Sequence, residues 1–227
     1  MEKFIKALQD IGIELSDYQL EQFDIYYKTL IEWNKKMNLT ALTEVEDVYF
    51  KHFLDSIYLA NSLPMRSQAI LDVGSGAGFP SIPLKIVFPS IDVTIIDALK
   101  KRIGFLEHLT KALNLKVTLI HGRAEEFEMK HSFDIVTARA VANLNMLSEL
   151  CVPFAKENGY FITLKGSNYE KELELIDNAL SELKFEVEDI YKYKILGIEH
   201  VLIRFLKNGI TPSKYPRKFK KIKSTPL

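Results

Sequence analysis

The sequence predicts an α/β fold in which a largely parallel sheet with helices on both faces is closed by an antiparallel hairpin, and three observations carry that prediction. From residue 69 onward, short β-rich runs alternate with helical segments, the pattern of a parallel sheet with crossover helices. The first run leads straight into three glycines at alternate positions. The last two runs are joined by about ten residues without a helical stripe, which suits a hairpin better than a crossover.

Taken in order, residues 1–65 read as a helical extension. Leu20, Phe23, Tyr27, Leu30 and Ile31 recur at spacings of three and four and form one apolar stripe. Ser16 followed by Gln19 is a capping box that starts this helix, and a second box, Thr43-x-x-Glu46, places another before Val48, Phe53, Leu54 and Ile57. Pro64 ends the helical region. Residues 66–207 hold seven strand candidates: Ala69–Val73, Val93–Ile96, Val117–Ile120, Phe133–Thr137, Tyr160–Leu164, Phe185–Ile190 and Val201–Leu206. Helical stretches separate the first five, among them Leu99–Leu113 and Leu144–Leu150, and Tyr169–Leu183 lies between the fifth and sixth. Residues 208–227 form a basic tail.

Composition excludes several classes. With 47% hydrophobic and 26% charged residues the chain is an ordinary globular protein, not a disordered or fibrous one. The single cysteine, Cys151, permits no internal disulfide, and the five histidines show no zinc-ligand spacing, so no metal is expected. The start Met1-Glu2-Lys3-Phe4 lacks a signal peptide's apolar run, and no stretch is long enough to span a membrane. A cytoplasmic monomer is expected. Formal net charge is zero, but residues 204–227 carry eight basic residues and no acidic ones, leaving 22 basic against 30 acidic in the rest. The tail is either a polyanion contact or a solubilising, disordered end.

The segment Ile70-Leu71-Asp72-Val73-Gly74-Ser75-Gly76-Ala77-Gly78-Phe79-Pro80 is a nucleotide-cofactor loop. Glycines allow the tight turn and let the backbone approach a ligand that a Cβ would repel. A pyrophosphate fingerprint has the spacing G-x-G-x-x-G, whereas Phe79 stands three after Gly76 and the pattern is G-x-G-x-G, which disfavours nicotinamide and flavin dinucleotides. Asp72 suits a ligand that presents an amino group, as the methionine end of S-adenosyl-L-methionine does. Asp97 ends the second strand and has two readings: it accepts hydrogen bonds from a ribose diol, or it caps the helix beginning near Leu99.

These residues resemble the glucose-inhibited division protein B family, also called ribosomal small-subunit methyltransferase G, nearly end to end. The marks are Trp33-Asn34-Lys35-Lys36-Met37-Asn38-Leu39-Thr40, His52-Phe53-Leu54-Asp55-Ser56, the glycine loop with Phe79-Pro80, Arg123-Ala124-Glu125-Glu126, Thr137-Ala138-Arg139-Ala140, Leu164-Lys165-Gly166, Tyr215-Pro216-Arg217-Lys218 and the final Pro226-Leu227. In one place the tail departs, since the family usually has a glycine and proline soon after its arginine pair and Phe219-Lys220-Lys221 stands here. The resemblance implies a class I methyltransferase with a Rossmann-like seven-stranded sheet, making 7-methylguanine in the 530 loop of 16S rRNA, alone or in the small subunit. It places the cofactor on Gly74, Phe79, Ala124, Glu125 and Arg139, with Asp97 carried over as a general class feature. Asn38, His52 and Asp55 match signature positions without an assigned role, and bracing the helices against the sheet is one reading of them.

Guanine N7 offers an in-plane lone pair, so methyl transfer to it needs no general base and rests on alignment. Cys151, beside Val152-Pro153, reads as core and not as a nucleophile. Arg139 either holds the cofactor's carboxylate or a phosphate, or bridges to Glu125 or Glu126. Lys165 either meets an RNA phosphate or is solvated. In the tail, Arg217, Lys218, Lys220 and Lys221 are candidate phosphate contacts, with Tyr215 and Phe219 as rings for splayed bases. Two other readings are an RNA-binding assembly factor with a relic loop and a small-molecule methyltransferase, which the basic tail disfavours.

Overall fold

The computed structural model describes residues 1–139 and 142–227. Ala140, the last residue of the motif beginning at Thr137, lies outside the described residues. Two helices open the chain, α1 (Glu2–Gln9) and α2 (Asp17–Met37). Ser16 caps α2 as expected, with Gln19 closing the box by reaching back to the Ser16 N–H. Asn38 ends it in the left-handed conformation (φ 50°), a role asparagine tolerates. The buried face of α2 is centred one residue away from the expected stripe, on Gln22, Phe23, Tyr26, Thr29 and Leu30.

The following helical stretch corrects the sequence reading. Thr43 is not its cap: α3 (Val45–Asp47) starts after Glu44 without a side-chain cap, and the Thr43 carbonyl instead accepts the Tyr27 hydroxyl. The chain then widens into a π-helical turn, Val48–Leu54, before α4 (Asp55–Ile57) and a 3₁₀ turn that ends at Asn61, short of Pro64. π turns are rare and often mark functional sites.

The sheet contains β1 (Ala69–Val73), β2 (Asp92–Asp97), β3 (Thr118–His121), β4 (Phe133–Arg139), β5 (Ala155–Lys165), β6 (Phe185–Ile195) and β7 (Ile198–Lys207) in the order β3-β2-β1-β4-β5-β7-β6. All seven expected strands are present. The first five run parallel, and β7 lies antiparallel between β5 and β6. Eight of the ten residues expected as a connection are themselves strand, and β6 turns into β7 at the other two, Leu196-Gly197, both with positive φ. Their signal was weak because most of β6 faces solvent.

Crossover helices are α5 (Ser81–Val87), α6 (Lys100–Ala112) and α7 (Leu144–Cys151). Between β3 and β4 only a 3₁₀ turn, Ala124–Glu126, replaces the expected helix. The segment expected as one helix over 169–183 is two, α8 (Tyr169–Leu173) and α9 (Asp177–Leu183), and a last helix, α10 (Phe219–Ser224), closes the chain.

Each face of the sheet is sealed by its own core. On one face Ile70, Ile95 and Ile135 pack in a single cluster with Phe4, Phe23, Tyr26 and Phe53 of the amino-terminal segment. On the other, Leu71, Val136 and Phe205 cluster with Leu147 and with Tyr215 and Ile222 of the tail. Segments 1–65 and 208–227 therefore each contribute to the core on one face of the sheet. Helix α2 also works through polar groups: Gln19 donates to the carbonyls of Ile86 and Val87, and Gln22 to that of Leu113 (2.7 Å), where α5 and α6 end. Tyr26, one turn on, donates to the Ala77 carbonyl (2.6 Å) within the glycine loop.

Gly78 permits that contact. It has φ +98°, and a Cβ there would stand 2.7 Å from Ile82 Cγ1 and 2.8 Å from the Tyr26 hydroxyl. Gly78→Ala is expected to lower stability by about 2–4 kcal/mol through backbone strain and overpacking. Urea unfolding measures this, and an unchanged midpoint would refute the packing role.

Candidate active site

At the carboxyl end of the sheet the strand order reverses between β1 and β4, the place where open α/β sheets bind ligands. A cavity of about 520 Å³ lies there, within the range of small-ligand sites. Its walls include Gly74, Gly76, Phe79, Asp97, Ala124, Glu125 and Arg139, so seven residues named from sequence converge on one site. A Cβ at Gly76 (φ +61°) would meet nothing within 4 Å, which shows how much room the loop leaves above itself.

Asp97 is tied to the start of α6 and borders the cavity. One oxygen accepts the Leu99 N–H at the start of α6 (2.8 Å); the other accepts the Gly76 N–H (3.3 Å) and faces Arg102 (3.4 Å), while the carboxylate still borders the cavity. Asp72 and Gly78 do not line the cavity. Asp72 lies beneath the loop, fully buried, with Oδ2 accepting the Ser81 N–H and hydroxyl. Burial pushes its carboxyl up to about 7, against the hydrogen bonds of Ser81 and the charge of Arg139. Asp72 Oδ1, Ser75 Oγ and Thr137 Oγ1 have no hydrogen-bond partner among the described residues. Asp72 and Thr137 are aligned neighbours across β1 and β4. Unpartnered buried polar atoms under a glycine loop fit a ligand whose end near the switch point is polar.

Arg139 is fixed from the helical side. Its Nη1 donates to Asp55 Oδ2 (3.0 Å) and to the Lys51 carbonyl (3.3 Å), its Nη2 donates to His52 Nδ1 (2.9 Å), and the guanidinium lies 4.8 Å from the Phe79 ring centroid. The expected bridge to Glu125 or Glu126 is overturned, because Glu125 faces Arg123 (3.5 Å) and Arg139 belongs to Asp55. Of five guanidinium N–H groups, three have protein acceptors among the described residues, which leaves donors for a ligand carboxylate.

Arginine can only donate, so His52 Nδ1 accepts and the ring's proton sits on Nε2, which donates to Thr40 Oγ1 (2.8 Å). Asn34 holds Thr40 in place through both its backbone groups (2.9 Å each). Burial, with the charge of Arg139, lowers the His52 pKa to about 4 against the pull of the Lys51 carbonyl and Asp55. The signature positions His52 and Asp55 thus join the helical segment to the strands, while Asn38 ends α2. Asp55 also accepts the Tyr193 hydroxyl (2.7 Å) and His200 Nδ1 (2.9 Å). Burial alone would raise its pKa, but the His200 hydrogen bond, Arg139 and Tyr193 together lower it.

His52 and Arg139 also border a second, more open hollow of about 750 Å³, beside Lys165, Glu172 and His200. Lys165 is neither solvated nor free for phosphate: it is paired with Glu172 (2.7 Å) and donates to the Ala142 carbonyl (3.1 Å). Arg217 is likewise engaged within the protein. It makes a bidentate pair with Glu149, which is 0% exposed, through bonds of 2.8 and 2.6 Å, and this pair pins the tail to α7. Lys218, Lys220 and Lys221 are exposed. Phe219 borders the first cavity. Tyr26, Arg123 and Phe219 were given no part at the cofactor site from sequence, and only Tyr26 had a local signal, its i+3 and i+4 spacing from Phe23 and Leu30.

The switched parallel sheet, its closing hairpin and the G-x-G-x-G cavity with an acidic residue ending β2 define a class I, S-adenosylmethionine-dependent methyltransferase. Solved structures share this fold: a SAM-dependent methyltransferase from Aquifex aeolicus (TM-score 0.57, 18% identity, 75% of this chain and 97% of that one) and M. jannaschii TYW2 in complex with AdoMet (0.55, 19%, 67% and 76%). The pattern of the rRNA small subunit methyltransferase G family matches residues 19–201, and the chain belongs to that family. Proteins called ribosomal RNA small subunit methyltransferase G are 50% identical in Bacillus velezensis (96% of this chain, 95% of the relative) and 48% identical in Staphylococcus carnosus (100% and 98%).

Because the folded pKa of His52 lies below its ordinary 6.5, the unfolded chain binds more protons between about pH 4 and 6.5. The brace is intact above that window and weakens as pH falls through it. An NMR titration is expected to show a His52 midpoint near 4, and His52→Gln is expected to remove that part of the acid sensitivity. A midpoint above 6 would refute the assigned tautomer and burial.

Proposed function

We propose that this chain transfers the methyl group of S-adenosylmethionine to N7 of a guanine in the 530 loop of 16S rRNA, presented by the small ribosomal subunit or its rRNA. The observation that carries the reading is the junction of two hollows at His52 and Arg139. One suits the cofactor, and the other, open to solvent, suits a base swung out of an RNA strand.

When bound, the cofactor supplies an electrophilic methyl group on its sulfonium. Gly74 and Gly76 would let the backbone approach the cofactor's methionine end, and Arg139 would offer its remaining donors to the carboxylate; Asp72 lies beneath the loop with its carboxyl raised by burial, and a nearby ammonium would favour its charged form. Asp97 takes the ribose, and Ala124 and Glu125 border the base. The junction residues hold nucleophile, methyl and sulfur in line, and that alignment replaces general-base chemistry because N7 brings its own lone pair. Neutral His52 and paired Asp55 are placed to orient, not to move protons. Cys151 does not serve as nucleophile: it is 0% exposed, and burial raises its pKa well above the ordinary thiol value.

RNA contact falls to Lys218, Lys220 and Lys221, three of the exposed cations of the tail. Neutralising these three while leaving Arg217 in place is expected to weaken rRNA binding and to flatten its log–log salt dependence by about 2, with RNA-free cofactor affinity unchanged. An unaltered salt slope would remove the tail from the RNA interface. The reading as a whole is tested by incubating the protein with methyl-labelled S-adenosylmethionine and small subunits lacking the modification, then mapping the label. One labelled N7-methylguanine in the 530 loop is expected. Absence of label on both subunits and free rRNA, with cofactor bound, would overturn the substrate.

A further inference from the structure

Phe219 looks from the sequence like an RNA-stacking ring, yet it forms part of the cofactor cavity wall. It is the first residue of α10, and the docking of the tail fixes where its ring stands. Three anchors hold that segment: Arg217 on buried Glu149, the Tyr215 hydroxyl on Glu182 (2.6 Å), and Ile222, which is fully buried. The guanidinium of Arg123, itself a wall residue, lies over the Phe219 ring at 5.4 Å from its centroid.

The cofactor's orientation follows from the order of loops along the carboxyl edge of the sheet. On the functional reading above, the glycine loop after β1 takes the methionine end, and Asp97 at the end of β2 takes the ribose. The base then extends toward the loop after β3, Gly122 to Glu125, where Phe219 borders the same cavity. We propose that Phe219, backed by Arg123, is the aromatic face on which the adenine of the cofactor stacks, so that the carboxyl-terminal tail completes the cofactor site. Aromatic rings and guanidinium planes are good stacking partners for a purine, because every base has a π-face.

A second consequence rests on the RNA reading above. Phe219 shares α10 with Lys220 and Lys221, which are exposed. RNA bound at Lys220 and Lys221 bears on the helix that carries the adenine wall, and by thermodynamic reciprocity any gain in cofactor affinity that RNA gives is matched by an equal gain in RNA affinity from bound cofactor.

The test is calorimetric titration of the full chain with S-adenosylmethionine, without RNA and with an rRNA fragment carrying the 530 loop. Without RNA, Phe219→Ala is expected to weaken cofactor binding on the order of 10-fold. Phe219→Tyr, which keeps the ring, is expected to stay near wild type. Phe219→Leu keeps apolar bulk without a π-face and should bind weakly, like the alanine variant. Wild-type affinity in a folded Phe219→Ala protein, or in Phe219→Leu should the alanine variant not fold, would overturn the stacking proposal. With the RNA fragment, wild type is expected to bind cofactor more tightly and F219A to lose that gain. An equal gain in both proteins would overturn the coupling. Failure of the wild type to bind the fragment at all would overturn the RNA reading together with the coupling, while the RNA-free titrations still decide the stacking.

Discussion

The buried carboxylate of Asp55 is the interaction on which the site depends. It faces Arg139 at the end of β4, Tyr193 on β6 and His200 on β7, and so joins the helical segment to three strands of the sheet. A buried ion pair is weak evidence for stability, because desolvation opposes the Coulombic gain. Here its value is positional. Arg139 reaches the cavity from a strand end, and without a fixed partner its long side chain would sample many rotamers. Asp55, the Lys51 carbonyl and His52 hold it in one orientation against Phe79. The π-helical turn over Val48–Leu54 immediately precedes Asp55 and carries Lys51 and His52, so all three acceptors come from one short stretch.

The glycine loop is held from outside the sheet as well. The Tyr26 hydroxyl takes up the Ala77 carbonyl, and Gly78 supplies the absence of a Cβ that allows α2 to come so close. Two of the three glycines therefore face a ligand site, and the third serves packing. This ties the amino-terminal helices to the geometry of the cofactor cavity, although only Leu39, Thr40 and His52 of that segment touch it.

The tail has two faces with different chemistry. Arg217, Tyr215 and Ile222 are spent on docking, with the bidentate pair to Glu149 neutralising a carboxylate that has no solvent. Lys218, Lys220 and Lys221 point outward. A run of basic residues that looks uniform in sequence is thus divided by burial. Net charge is zero for the same reason that it is uninformative: the acidic surplus lies in residues 1–203 and the cations are gathered at the end.

The sequence by itself determined the α/β fold, seven strands and their closing hairpin, because apolar period and glycine placement are local signals. It also named Gly74, Gly76, Phe79, Asp97, Ala124, Glu125 and Arg139, which line one cavity, partly through spacing and partly through family resemblance. It could not say which polar residues meet which. Arg139 could hold a ligand's carboxylate or a phosphate, or pair with Glu125 or Glu126; Lys165 looked solvated or free for phosphate, and Phe219 looked like an RNA contact. Those outcomes depend on partners far apart in the chain, 84 residues for Asp55 and Arg139 and 88 for Lys51 and Arg139. A charged or aromatic side chain of given type suits several environments at similar local cost, and only the packed chain, by removing water and fixing neighbours, selects one.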